Sequence, residues 1–187
     1  ILTLKLTPNR GDCLSMHGVA RDFAALTGKP VALPEVAPVA VTITETRAVR
    51  ISDPAACGHY FGRVIRGIDP KAKSPAWLVR RLERAGLRPR SPLVDITNLL
   101  MLERGQPLHA FDQGKLTGAI DVRMARPGEE MKLLTAQWAG DIPNLLLITD
   151  ESGPVALGGV MGGFDTMVTD ATTDVFFEAA YFAPEAI

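Results

Sequence analysis

The chain has 187 residues, 47% of them hydrophobic and 22% charged, a composition typical of a globular protein with one substantial core or two small ones. Its 20 basic and 21 acidic side chains give a net charge of −1, which excludes a strongly basic nucleic-acid binder and leaves only a local patch for such a contact. No apolar run approaches the roughly 18 residues of a membrane span, and Cys13 and Cys57 lack disulfide or zinc spacing, so we expect a cytoplasmic protein without membrane contact or bound metal.

The first forty residues predict one helix and a connector. Ser15 suits an N-cap, an apolar stripe follows it, and Gly28 suits a helix end, so we expect a helix over residues 15–27. Residues 30–40 are rich in proline and show no periodic pattern. This composition indicates an extended connector.

Two further helices and a series of strands are predicted in the rest of the chain. Ser74-Pro75 opens a helix that ends near Gly86, and Pro92 opens another that ends at Gly105, because proline suits a first helical turn and glycine suits a helix end. Apolar and β-branched runs predict strands at 41–43, 49–51, 60–68, 120–124, 131–134, 145–149, 154–157 and 175–182.

The order of these elements favours the α+β class. Strands that occur in runs, rather than alternating with helices, argue against a doubly wound sheet. We predict an amino-terminal segment over 1–40 and a main domain over 41–187, with one continuous module over 1–187 as the alternative. Because the chain lacks an initiator Met, we also expect it to be a piece of a longer polypeptide.

A dense polar cluster lies between residues 94 and 112. Its two motifs, 94–98 and 105–112, combine two acids, a hydroxyl, two amides and an imidazole, and the predicted helix places Thr97 and Asn98 before a turn that can bring His109 close to Thr97. A neutral imidazole can accept a proton from water or hold a ribose hydroxyl. The alternatives are a histidine that ties down a loop and a threonine that bonds to a helix carbonyl one turn earlier.

The second half offers a glycine-rich turn and an isolated acid. The run from Gly158 to Gly163 would let a ligand approach the backbone closely, although such a run is more often a tight turn. It lacks the Gly-Lys-Ser/Thr of a phosphate loop, and the chain has no Gly-x-Ser-x-Gly nucleophile motif. Glu178 interrupts an apolar strand and either binds a polar ligand group or faces water or an arginine from an edge strand.

Five motifs, taken in order, resemble one family. They are Pro8-Asn9-Arg10 with Asp12-Cys13-Leu14-Ser15, Val94-Asp95-Ile96-Thr97-Asn98, Gly105-Gln106-Pro107-Leu108-His109-Ala110-Phe111-Asp112, Gly158-Gly159-Val160-Met161-Gly162-Gly163, and Glu178-Ala179-Ala180-Tyr181-Phe182. Together they resemble the B3/B4 region of the bacterial phenylalanyl-tRNA synthetase β subunit. That resemblance implies an α+β module with a β-sandwich-like core and an editing site, which hydrolyses tyrosine wrongly esterified to tRNA(Phe).

The resemblance also assigns residues. Glu178 would bind the tyrosine hydroxyl, and His109 and Thr97 would act on the ribose and water side. The other substrate-binding positions would be Asn98, Ala110, Gly158, Gly162 and Gly163. The richest basic stretch contains Arg80, Arg81, Arg84, Arg88 and Arg90. The first three fit a solvated helix face equally well, whereas Arg88 and Arg90 lie closer to the polar cluster and could meet acceptor-end phosphates.

The resemblance implies partners and leaves two further functions open. The partners would be the tyrosine-carrying acceptor end of tRNA(Phe), the rest of the β subunit and the α subunit. No cofactor is implied for this chain, since ATP and Mg²⁺ belong to a synthetic core whose motifs it lacks, and the chain alone should not aminoacylate. The alternatives are a non-catalytic structural or tRNA-binding module and a free-standing binder of aromatic amino acids. Leu134-Thr135-Ala136-Gln137, where the family pattern has Leu-Asp-Gly, and Gly158, where it has alanine, depart from the pattern.

Overall fold

The computed structural model describes residues 2–140 and 144–187. The contacts of the chain divide it into two compact units, neither of which is continuous in sequence. The first unit comprises the chain up to Thr44 together with Ala72–Leu108, and the second comprises Glu45–Lys71 together with His109–Ile187. The domain boundary predicted after residue 40 stays a prediction.

Helices make up the regular structure of the first unit. They are a one-turn 3-10 helix (Gly11–Cys13), α1 (Met16–Thr27), α2 (Ala76–Arg84) and α3 (Pro92–Arg104). The Ser15 hydroxyl accepts a hydrogen bond from the backbone N–H of Gly18 at 3.1 Å, and Gly28 follows α1 with a left-handed φ of 67°. The Ser15 hydroxyl satisfies a backbone N–H that a helix start leaves open, and glycine adopts a left-handed φ without strain, so the predicted limits of α1 are confirmed.

Asp95, one of the acids of the polar cluster, has a structural role. Its side chain is 1% exposed and accepts hydrogen bonds from the backbone N–H of Arg90 at 2.8 Å and from the Ser74 hydroxyl at 2.5 Å. Ser74 precedes α2 and Arg90 precedes α3, so one buried carboxylate joins the starts of two helices. Helix α3 itself begins at Pro92 and is followed by left-handed Gly105, as predicted.

Strands dominate the second unit. In the described residues they are β1 (Val49–Ile51), β2 (Cys57–Ile65), β3 (Leu108–Asp112), β4 (Ile120–Met124), β5 (Met131–Lys132), β6 (Trp138–Ala139), β7 (Leu146–Asp150), β8 (Gly153–Leu157), β9 (Met161–Gly162) and β10 (Val175–Phe182). A five-stranded sheet has the order β1-β4-β7-β8-β9, and a three-stranded sheet has the order β2-β10-β3. Strands β5 and β6 pair with each other.

The pairing in the two larger sheets is mainly antiparallel. Only β1 and β4 run parallel within the five-stranded sheet, and β2 runs antiparallel to β10 over its length. Apolar side chains between these strands form the core of the unit; the most deeply buried are Cys57, Phe111, Ile120, Val122, Leu147, Ile148, Val175 and Phe176. The α+β class is confirmed.

The predicted strands differ from the observed ones in a few places. Those over 49–51, 120–124 and 175–182 have the observed bounds, and the strand predicted over 60–68 is observed at Cys57–Ile65. The strand predicted over 41–43 is wrong, since that segment has no strand pairing. Strands β3, β6 and β9 were not predicted.

No helix in the described ranges is both long and apolar enough to cross a membrane.

Candidate functional site

Glu178 is a buried carboxylate in the middle of a sheet. It lies on β10, the central strand of the three-stranded sheet, directly opposite Gly62 of β2, and its side chain is 6% exposed. The hydroxyl of Tyr60 donates a hydrogen bond to Oε2 of Glu178 at 3.1 Å. The alternative of an edge-strand carboxylate that faces water or an arginine is therefore wrong.

Burial dominates the electrostatics of Glu178. It raises the pKa of this carboxyl to about 7, and the hydrogen bond from Tyr60 opposes the rise only in part. Burial and the neighbouring Glu178 carboxylate also raise the pKa of the Tyr60 hydroxyl, so this hydroxyl stays protonated and acts as the donor. The buried thiol of Cys57 has a raised pKa for the same two reasons. A carboxyl that titrates near neutrality is typical of functional sites as well as of buried ion networks.

His109 is the second unusual side chain of this unit. It lies on β3, its Nε2 atom is buried, and no group in the described residues forms a hydrogen bond with that atom. Burial lowers the pKa of the imidazole to about 4, so His109 is neutral at pH 7. Its ring meets the Phe111 ring edge-on, with 4.4 Å between the centroids. An orphaned buried nitrogen costs free energy unless a ligand or water satisfies it.

Gly162 lies against the His109 ring. A Cβ atom at Gly162 would be 2.4 Å from Cε1 and 2.8 Å from Nε2 of His109, closer than real contacts allow. Glycine is therefore needed at this position for the imidazole to lie where it does. Because Gly162 belongs to the five-stranded sheet and His109 to the three-stranded sheet, this contact joins the two sheets.

Gly163 and Gly158 are constrained by the protein core. Their backbone N–H groups already donate to the carbonyls of Val155 and Leu146, each at 2.8 Å. A Cβ atom at Gly163 would be 2.5 Å from the carbonyl oxygen of Val155, and one at Gly158 would be 3.1 Å from the Leu146 side chain. The methyl group that Gly158 lacks would face buried Leu146.

Glu178 and His109 point to the same side of the three-stranded sheet. Side chains two residues apart on a strand share a face, so Glu178 shares a face with Phe176, and His109 shares a face with Phe111. The Phe111 and Phe176 rings contact each other, with 6.3 Å between their centroids. The two polar side chains thus flank a pair of aromatic rings. Ala110, next to His109 on β3, points to the opposite face and does not share this surface.

The remaining predicted site residues belong to the first unit. The Thr97 hydroxyl donates to the carbonyl of Val94 at 2.8 Å, which is the helix back-bonding that was the alternative for this residue. Asn98 is half-buried on α3, and Arg88 and Arg90 are exposed before it. The structure therefore groups His109, Gly162 and Glu178, while the grouping of Thr97 with His109 stays a prediction.

Tyr60 is the residue that the sequence alone did not reveal. It is 118 positions from Glu178, and only the pairing register of β2 and β10 makes the two adjacent. The available signal was a tyrosine within an apolar strand, because a buried phenol hydroxyl normally requires a partner. In the part of the chain that the structure describes, no three His, Cys, Asp or Glu side chains are grouped as metal ligands.

Comparisons with known proteins agree with the motif resemblance. The model of the B3/4 domain family matches residues 56–187. Phenylalanine–tRNA ligase β subunits from Thiobacillus denitrificans and Aromatoleum aromaticum are each 52% identical over 187 residues, which is 100% of this chain and 24% of each relative. The chain thus spans about a quarter of the length of these curated relatives.

A solved structure has a similar fold. It is an N-terminal fragment of the phenylalanyl-tRNA synthetase β subunit from Pyrococcus horikoshii, with a TM-score of 0.57 and 16% identity. The match covers 96% of this chain and 55% of that fragment. At this identity the similarity shows the fold alone. The match of the family model over most of the chain, together with the relatives that cover all of it, shows that the chain belongs to the B3/4 domain family.

Proposed function

We propose that the protein is the editing module of a phenylalanyl-tRNA synthetase β subunit. In this role it hydrolyses the ester that joins tyrosine to tRNA(Phe), and Glu178 recognises the tyrosine hydroxyl. The main support is the surroundings of Glu178, a buried carboxylate whose one hydrogen-bond donor among the described residues is itself a phenol, that of Tyr60. Glu178 therefore lies in surroundings where a phenol hydroxyl fits.

The physical reason for such a site is the difficulty of rejecting tyrosine during synthesis. A hydrophobic pocket rejects an analogue with one added hydroxyl by only about a hundredfold. A second site that requires the hydroxyl solves this problem, because phenylalanine leaves its buried polar group unpaired. An unpaired buried group costs about 1 to 3 kcal/mol, and more when it is charged. Glu178 meets that condition because it is almost completely buried.

His109 would serve the ribose side of the ester. A pKa of about 4 leaves its imidazole unprotonated at pH 7 but makes it a weak base, and the best general bases have a pKa near the working pH. This favours a hydrogen bond between His109 and a hydroxyl of the terminal ribose. Water then attacks the ester carbonyl, the bond from the carbonyl carbon to the ribose oxygen breaks, and that oxygen takes up the proton lost by the water.

The non-catalytic alternative predicts a Glu178 side chain that is exposed to solvent. The observed burial of Glu178 argues against that alternative. A binder of free aromatic amino acids would use Glu178 in the same way, but it would have no need for a histidine on the ribose side. Saturable binding of free tyrosine that is insensitive to a His109→Ala substitution would favour the binder.

The test is deacylation of Tyr-tRNA(Phe) by the complete synthetase that contains this chain, with its α subunit. Glu178→Ala and His109→Ala should each slow hydrolysis at least tenfold, the scale of one lost hydrogen bond to a charged or reacting group. Glu185→Ala and His59→Ala are matched controls, because both side chains are exposed and His59 faces away from Glu178. Hydrolysis that is as fast in both site variants as in the controls would reject the proposal.

A further inference from the structure

Tyr60 reaches Glu178 diagonally across two paired strands. In the register of β2 with β10, Tyr60 is opposite Ala180 and Gly62 is opposite Glu178, so these four residues share one face of the sheet. The place opposite Glu178 holds no side chain of its own, and the Phe176 ring fills the space above Gly62. Tyr60 is therefore the polar side chain that β2 presents to the carboxylate.

The two carboxylate oxygens of Glu178 differ in their hydrogen bonding. Oε2 accepts the Tyr60 hydroxyl at 3.1 Å, whereas Oε1 accepts no hydrogen bond from any group in the ranges 2–140 and 144–187. A carboxylate held at one oxygen keeps its orientation, and the free oxygen is then aimed in a fixed direction. Fixing a glutamate side chain in advance also removes the entropy loss that a ligand would otherwise cause on binding.

We propose that Tyr60 is a positioning residue for recognition of the tyrosyl ester: its hydroxyl fixes Oε2 of Glu178, and Oε1 receives the phenol of the substrate. This inference rests on the proposed function, because it assigns the substrate hydroxyl to Glu178. The carboxylate would then accept two phenols, one from the protein and one from the substrate. Tyr60 touches Glu178 and acts through it.

The charge of Glu178 connects this geometry to pH. The Tyr60 hydrogen bond lowers the pKa of Glu178 against the larger effect of burial, so removal of the hydroxyl raises that pKa further. The other titratable groups nearby are the protonated Cys57 thiol on β2 and His109 on β3, on the same face of the sheet and neutral above its low pKa. Neither changes charge between pH 6 and 8, so a shift of the pH profile in that range reports Glu178.

The competing possibility is that Tyr60 occupies the place of the substrate phenol. In that case its hydroxyl blocks Glu178 and must leave before the ester binds. The two possibilities predict opposite effects of a Tyr60→Phe substitution. Removal of a positioning group weakens selection for tyrosine, and removal of a competitor strengthens it.

The experiment compares Tyr60→Phe with the unsubstituted complete synthetase in deacylation of tyrosyl-tRNA(Phe) and phenylalanyl-tRNA(Phe) between pH 6 and 8. We expect the ratio of kcat/KM for the two esters to fall about tenfold at pH 7, the scale of one hydrogen bond to a charged group, and its midpoint to move to higher pH. Tyr181→Phe is the matched control, because Tyr181 is the other of the two tyrosines, is 60% exposed and lies on the opposite face of the same strand pair.

Three outcomes are decisive. A ratio and midpoint unchanged in Tyr60→Phe, or a ratio that increases, overturns the positioning role, while the same preparation's phenylalanylation rate shows that the protein is intact. A Glu178→Ala variant measured in parallel separates the two claims. If Glu178→Ala collapses the ratio and Tyr60→Phe does not, only the role of Tyr60 fails; if Glu178→Ala leaves the ratio unchanged, the proposed function fails.

Discussion

Substitution of Glu178 by glutamine should change how the stability of the protein depends on pH. The carboxyl has a pKa of about 7 in the folded protein, against an ordinary value of 4.5 for glutamate, so the folded state holds a proton that the unfolded state has lost between these two pH values. Its contribution to stability is fully present below pH 4.5 and is lost as the pH rises through 7. Glutamine keeps an oxygen for the Tyr60 hydroxyl and cannot ionise.

The size of the effect follows from the pKa difference. A shift from 4.5 to about 7, at about 1.4 kcal/mol per pH unit, corresponds to roughly 3 kcal/mol of unfolding free energy. As the pH rises from 4.5 to 7.5, the unfolding free energy of the Glu178→Gln variant should therefore increase by about 3 kcal/mol relative to that of the unsubstituted protein. The difference between variants isolates this carboxyl, because all other titrating groups are common to both.

The assay is urea unfolding followed by backbone circular dichroism at several pH values, with the difference in unfolding free energy plotted against pH. The exposed Glu185 provides a control, because Glu185→Gln makes the same chemical change at a side chain that is not buried. A Glu178→Gln difference that stays constant within about 0.5 kcal/mol across this pH range would show that the carboxyl is not desolvated in the folded protein.

The structure makes three further predictions. His109→Gln should show the opposite trend. The lowered pKa of about 4 contributes stability that is present above pH 6.5 and lost towards pH 4, so the unfolding free energy of the variant should rise by about 3 kcal/mol relative to the unsubstituted protein as the pH falls. A difference in urea unfolding that does not depend on pH would contradict this. Gly163→Ala should destabilise the fold by about 1 to 3 kcal/mol, because its Cβ would lie 2.5 Å from the Val155 carbonyl oxygen. The control is Gly11→Ala, whose Cβ would meet nothing within 4 Å. Equal urea midpoints of unfolding for the two variants would contradict the close packing at Gly163. Asp95→Ala should lower the unfolding free energy by about 2 to 3 kcal/mol by leaving Arg90 N–H and the Ser74 hydroxyl unpaired, and Asp95→Asn should lose less; equal losses would show that the hydrogen bonds do not matter.

The two pH trends have a joint consequence for the unsubstituted protein. Between pH 4.5 and 6.5 the folded state gains one proton at Glu178 and lacks one at His109, relative to the unfolded state. The contributions of Glu178 and His109 to the pH dependence of the unfolding free energy therefore have opposite signs, and their sum changes little with pH in this range. Substitution of either residue alone leaves the pH dependence that the other residue produces.

Helix limits could be predicted from the sequence because they depend on local chemistry. Ser15 and Gly28 bound α1, and Pro92 and Gly105 bound α3, through capping and backbone preferences that act within a few residues. Strand prediction failed where pairing decides the outcome. Residues 41–43 are β-branched but pair with no strand, and Val41 is 85% exposed; β-propensity is expressed only where a neighbouring strand and burial support it.

The candidate site could be predicted only in part, because some of its features are local in sequence and others depend on strand pairing. Glu178 and His109 stood out as polar side chains in apolar surroundings, which is a local signal. Their shared face, the Tyr60 hydrogen bond and the packing of Gly162 on the imidazole depend on strand register and sheet contact. Strand β3 was missed because its polar residues were attributed to a binding cluster, although His109 and Phe111 alternate with Ala110 as strand residues do.

Binding of a tyrosyl ester through its hydroxyl by Glu178 can be observed in a crystal structure. The ligand is a non-hydrolysable, amide-linked tyrosyl-adenosine, bound to the complete synthetase. We expect the phenol oxygen of the ligand within about 3.2 Å of Oε1 of Glu178, with the Tyr60 hydroxyl still hydrogen-bonded to Oε2. A ligand whose phenol points to solvent, or lies on a group other than Glu178, would contradict it.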